Sequence, residues 1–171
     1  MSAPKCNISW KVAALGVLIP FLAGCAGYPA QQQAASAGLK HAFSLLESQQ
    51  PSAKWDIASA IQGDFDCDRT SDFAFLGTAG GDVYVGLVRG ANQQVTMLRF
   101  PASGQSQDAL CPGRPKLAPE SLDYDPTESV GRVPGFVRSK NCAGLVLSTG
   151  ECDDIHIFWD RDADRLGWWR A

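Results

Sequence analysis

The chain has 171 residues, 45% of them hydrophobic, with 15 Lys and Arg against 18 Asp and Glu for a net charge of −3. That length suits one domain with an ordinary core. The mildly acidic balance leaves no basic stripe to follow a phosphate backbone, which argues against nucleic acid as a partner.

In chain order, Lys5 and Lys11 come first, with no acidic residue before the end of an apolar run from Val12 to Ala23 that is broken only by Gly16 and Pro20. The run is too short to span a bilayer and has the layout of a signal-peptide core. It ends in Leu22-Ala23-Gly24-Cys25, which resembles the bacterial lipobox. There, small residues let a peptidase cut before a cysteine already thioether-linked to diacylglycerol. The resemblance implies that residues 1–24 are a signal peptide removed on export. It also implies that Cys25 carries more than one acyl chain, palmitate among them, tethering the protein to a membrane it does not cross. Ala26 and Gly27 follow with no Asp beside the cysteine. In the lipoprotein sorting pattern that implies the outer membrane of a Gram-negative host, facing the periplasm.

On that reading 147 residues remain, with 13 basic against 18 acidic side chains, a net −5. Cys6 leaves with the signal peptide and Cys25 is lipidated, so the folded part keeps Cys67, Cys111, Cys142 and Cys152. An even count in an exported chain reads as two disulfides. Zinc is disfavoured: there is no Cys-x-x-Cys pair, and His41 and His156 lie far apart in sequence.

Residues 25–38 are small and polar and read as a lipid-anchored flexible linker, leaving 39–171 as a single mostly-β domain. Leu39, Ala42, Phe43 and Leu46 fall at helical spacing, predicting one short helix from Leu39 to Gln50 before Pro51. The period then changes to two, with Trp55, Ile57, Ser59 and Ile61 on one face of a strand. Further strands are predicted over 72–77, 82–89 and 94–100, joined by Gly-containing turns into an antiparallel meander. Residues 101–135 hold six prolines and read as a long irregular excursion pinned by Cys111, of a kind that often carries binding function. Strands resume over 135–138, 143–148, 153–159 and 166–170. The expected fold is therefore mainly β: antiparallel meanders and hairpins forming part of a propeller or a sandwich, with one N-terminal helix. A hairpin at Thr149-Gly150-Glu151 sets Cys142 and Cys152 too far apart to bridge, at about 3.4 Å per strand residue. The expected pairs are Cys67 with Cys152 and Cys111 with Cys142.

The strongest local pattern is Gly63-Asp64-Phe65-Asp66-Cys67-Asp68-Arg69-Thr70-Ser71-Asp72-Phe73. Its carboxylates occupy loop positions 1, 3, 5 and 9, the alternation that turns oxygens towards one calcium ion, with the Thr70 carbonyl as a further donor. A bound cation would also give clustered carboxylates a reason to coexist. Over roughly residues 55–90 the sequence resembles the calcium loop of FG-GAP and VCBS-type repeats, whose signature is GDFDGDGxxDL. The resemblance implies that Asp64, Asp66, Asp68, Thr70 and Asp72 ligate calcium. Cys67 and Arg69 stand where that family has glycines. A complete propeller does not fit in the length available.

A second acidic stretch, Asp160-Arg161-Asp162-Ala163-Asp164, lacks an acid at position 9 and reads as a polar hairpin turn between strands. Nearby Trp159, Trp168 and Trp169 read, at least in part, as core. Catalysis is not expected. With two histidines in all, His156 would have to recruit Asp153 or Asp154 and a serine such as Ser148, without the Gly-x-Ser-x-Gly elbow. The lipobox, acidic loop and carboxy-terminal pattern together resemble small periplasmic immunity lipoproteins. That resemblance implies a non-enzymatic binding module that inhibits a peptidoglycan-hydrolysing effector; the alternative reading is a structural envelope lipoprotein with no dedicated ligand.

Overall fold

In the computed structural model, residues 28–102 and 106–171 are described. The expected signal peptide, lipobox and Cys25 lie outside the described residues. Among the described residues no helix is long and apolar enough to cross a membrane.

The first element is α1 (Tyr28–Gln49), which starts eleven residues before the predicted helix. Most of the expected linker is thus helical, because its run of Ala and Gln is made of good helix formers. Two four-stranded antiparallel meanders follow. Sheet A consists of β1 (Lys54–Gly63), β2 (Asp72–Ala79), β3 (Asp82–Val88) and β4 (Val95–Phe100) in that spatial order. Sheet B consists of β5 (Lys116–Ser121), β6 (Ala143–Ser148), β7 (Ile155–Asp160) and β8 (Arg165–Trp169), also in order, with the short α2 (Thr127–Val130) between β5 and β6.

Period-two patterning decides how the layers stack. Ala74, Leu76, Val83, Val85, Leu87 and Phe100 of sheet A meet Leu145, Leu147, Ile155, Ile157, Trp159 and Leu166 of sheet B in one buried core. The sheets therefore form a sandwich. Trp168 packs against this core with its ring edge-on to Phe100, so Trp159 and Trp168 finish the core as expected. The opposite face of sheet A, with Trp55, Phe75 and Val88, is covered by Ala42 and Leu46 of α1. Gly77 and Gly86 make room there, since a Cβ on Gly77 would lie 2.6 Å from the Trp55 ring and one on Gly86 2.5 Å from Leu46. The result is helix, sheet, sheet, with the 122–142 connection lying over the outer face of sheet B through Tyr124 and Phe136.

Three local expectations are corrected. Strand β1 carries a bulge between Asp56 and Ile61, where Ser59 Oγ accepts the Leu76 amide at 2.8 Å and Asp56 Oδ1 accepts that of Ala58 at 2.9 Å. The four residues predicted to share a face are split: Trp55 faces the helix, Ile61 faces the inter-sheet core and Ile57 is exposed. Within the excursion, Lys116–Ser121 is a strand despite Pro119, which is tolerated because β5 is an edge strand. Residues 135–138, predicted to be a strand, are not one: Gly135 has φ of 75° and the segment packs on Asp160 as irregular chain.

Both disulfides exist, with partners exchanged relative to expectation: Cys67 bonds Cys142, and Cys111 bonds Cys152. The chain enters β6 beside the acidic loop, where the Ala143 amide donates to the Asp64 carbonyl at 3.0 Å, and this brings Cys142 to Cys67. Cys111 lies near the β6–β7 hairpin, where Gly113 backs onto the Thr149 carbonyl, and so reaches Cys152. The argument that Cys142 and Cys152 are too far apart agrees with this pairing, but it could not choose between the two remaining ones.

Candidate functional site

The β1–β2 loop is built from carboxylates that cap its own backbone. Asp64 accepts the amides of Asp68 and Arg69, one on each oxygen, both at 3.1 Å. Asp66 Oδ1 accepts the Asp68 amide at 3.0 Å. Asp72 Oδ2 accepts the amides of Phe65 at 2.8 Å and Asp66 at 3.3 Å, and its Oδ1 accepts that of Gly90 at 2.8 Å. Cys67 and Arg69 adopt φ of 63° and 72°, so the two positions where calcium-loop repeats carry glycine keep a glycine-like backbone here without glycine. Gly90 is needed for close approach: a Cβ there would stand 2.2 Å from the Ser71 carbonyl oxygen.

Asp64, Asp66 and Asp72 converge, with one oxygen of each within 4.8 Å of the others. Asp68 is not in that group; its Oδ1 accepts the Thr70 amide at 2.6 Å, which is the contact that holds Thr70 in the loop. Arg89, at the end of β3, donates from Nε to Asp66 Oδ2, whose side chain is fully buried. Every oxygen of the three converging carboxylates therefore already accepts a hydrogen bond. Calcium takes six to eight oxygens; here three carboxylates converge, Asp68 is turned to the Thr70 amide and a guanidinium holds one oxygen of Asp66.

The electrostatics agree with the geometry. Burial pushes the Asp72 carboxyl above the ordinary carboxylate range, helped by the nearby Asp66 charge and opposed by the amides of Gly90, Phe65 and Asp66. For Arg89, burial favours the neutral form, but the hydrogen bond and charge of Asp66 outweigh it, with Asp164 and Asp68 adding to the effect, and hold the guanidinium above its usual value. Arg89 also lies 4.7 Å over the Trp159 ring and reaches Gln94 Oε1 at 3.3 Å and Asp164 at 3.4 Å. Asp160–Asp164 is the predicted hairpin turn: Asp160 Oδ1 accepts the amides of Asp162 and Ala163, and β7 pairs with β8 across it. One end of the sandwich thus gathers the acidic loop, the β3–β4 turn and the β7–β8 turn around a single guanidinium. A cleft of about 500 Å³ opens beside it, bounded by Leu45, Gln49, Gln94, Trp159 and Asp164.

A second cluster went unread in the sequence. His156 Nδ1 lies 2.9 Å from Glu120 Oε2, and its ring stacks on Trp169 with centroids 4.0 Å apart. Tyr124 donates its hydroxyl to Glu120 Oε1 at 3.3 Å. The carboxylate partner of His156 is therefore Glu120, from a strand hidden by its proline, instead of Asp153 or Asp154. Burial raises the Tyr124 phenol pKa, with the Glu120 charge adding to it, well above the usual tyrosine range. The cluster fastens the 122–142 connection to the outer face of sheet B.

No protein-family model, no curated protein and no solved structure matches this chain. The resemblance of the acidic loop to FG-GAP and VCBS-type repeats accordingly stands on its sequence alone.

Proposed function

We propose that the protein is an exported lipoprotein, tethered through Cys25 to the outer membrane, whose domain acts as a non-enzymatic binding module in the periplasm. Its partner on this reading is a cationic, wall-directed hydrolase, which it inhibits as an immunity protein would. The observation that carries the proposal is the joining of three loops into one acidic end by Arg89 and the Cys67–Cys142 bond. A surface already fixed before binding loses little conformational entropy when a partner docks. Asp68, Asp162 and Asp164 are exposed at that end, and enzymes that work on an anionic wall suit an acidic receptor. The two disulfides support export, because such bonds persist in oxidising compartments.

The test is affinity capture from envelope extract with the soluble domain, residues 26–171, followed by a hydrolase assay on what is retained. The expected result is a wall hydrolase whose activity falls on binding, with affinity weakened by salt and by Asp68→Asn with Asp162→Asn. Failure to retain any hydrolase, or retention indifferent to both salt and those substitutions, would overturn this reading.

A further inference from the structure

The acidic loop sets three carboxylates close together, and the fold brings a cation to one of them from its own chain. We infer that Arg89 is the internal counter-charge of the acidic loop, bonded to Asp66 and tied to the neighbouring turns, so that the loop keeps its shape without metal. Arg89 Nε is bonded to Asp66 Oδ2, and the pair is nearly closed to solvent, with side-chain exposures of 14% and 0%. An ion ligated by Asp66 Oδ2 would have to displace the guanidinium from it. The guanidinium is also held from behind by the face of Trp159, by Gln94 and by Asp164, so expelling it breaks several contacts at once.

The other two carboxylates are held in place by backbone amides. Asp64 is taken up by the amides of Asp68 and Arg69, and Asp72 by those of Phe65, Asp66 and Gly90. The apex is closed covalently through Cys67 and Cys142, where an ion-dependent loop would draw that constraint from its metal. Charge, hydrogen bonding and closure are each provided by a named group of the chain. Arginine suits this role better than lysine would, since its planar fork can serve Asp66, Gln94 and Asp164 together while its face lies on an indole.

The experiment compares the purified full chain with its Arg89→Met and Arg89→Lys variants by thermal melting and by calorimetric titration with calcium chloride, each with and without chelator. For the wild-type chain the melting temperature is expected to be the same in calcium and in chelator, with no heat of binding. Arg89→Met keeps the apolar stem but strands Asp66 in the interior, which should lower the melting temperature by roughly 10 °C. In that variant calcium is expected to recover part of the loss, because Asp66, close to Asp64 and Asp72, has lost its counter-charge. Arg89→Lys should fall between the two and stay indifferent to calcium. A rise in the wild-type melting temperature with calcium, or saturable heat on titration, overturns the inference. Should Arg89→Met fail to fold, the wild-type titration and Arg89→Lys still decide: calcium rescue of the lysine variant would count against an internal cation.

Discussion

The Cys67–Cys142 cross-link offers the sharpest stability test, because it closes 75 residues of chain at a position where the backbone itself is strained. In the chain-entropy treatment a loop of that length restricts the unfolded state by about 4.5 kcal/mol at 25 °C. The second bond, Cys111–Cys152, interleaves with the first and shortens the effective loop, so about 4 kcal/mol is the expected loss on removing Cys67–Cys142 alone. Against a total of about 5–15 kcal/mol for an ordinary domain, that loss is large but survivable. Replacement residues separate the two contributions. With Cys67→Ala and Cys142→Ala the strained backbone remains, and the full loss of about 4 kcal/mol is expected. With Cys67→Gly the residue at φ of 63° becomes one that adopts this conformation freely, returning about 1 kcal/mol. Urea denaturation of both double variants measures the pair of values, and peptide mapping without reductant confirms that Cys111 and Cys152 stay joined. A loss below about 1 kcal/mol in both variants, or a mapped Cys67–Cys152 peptide in the wild type, would refute the reasoning.

Three further outcomes are expected. Gly90→Ala places a methyl group against the Ser71 carbonyl and pushes away the amide that Asp72 accepts, so it should destabilise by about 3 kcal/mol in urea unfolding. Leu46→Ala removes a fully buried side chain between α1 and sheet A and should cost about 2–5 kcal/mol; a cost under about 1 kcal/mol would mean that the helix does not dock there. The raised pKa of Tyr124 means that the folded state holds its phenolic proton more tightly than the unfolded chain does. This contribution is fully present below the ordinary tyrosine pKa of about 10 and is lost as pH rises through the folded value. Ultraviolet titration should show one phenol resisting ionisation until alkaline unfolding, and Tyr124→Phe should abolish that step.

Much of the fold is legible locally. Alternation in 72–77, 82–88, 143–148 and 155–159 marks strands whose two faces are both used, and the Gly-Gly and Asp-rich turns between them allow little besides hairpins. The stripe through Ala42 and Leu46 marks the docking face of the helix, and both residues are buried on sheet A as that stripe requires. What failed locally failed for identifiable reasons. Ser59 reaches across to a backbone amide and throws β1 into a bulge, a cross-strand event that periodicity along one strand does not register. Pro119 masks β5, because its tolerance depends on the strand lying at a sheet edge. Glu120 was lost with it, and so was the partner of His156.

The acidic loop divides the same way. Its sequence places four carboxylates in one short loop, and in the fold three of them, Asp64, Asp66 and Asp72, come together while Asp68 turns to the Thr70 amide. It does not reveal what neutralises Asp66, because Arg89 is seventeen residues beyond Asp72 and arrives only when β2 pairs with β3. Cysteine pairing follows the same rule, for Cys142 finds Cys67 through the packing of one sheet on the other. Residue type and spacing set the strands, the turns and the charge of the loop. Tertiary packing alone chose the partner of each charge and each thiol, because those choices depend on atoms that approach only after the layers have closed.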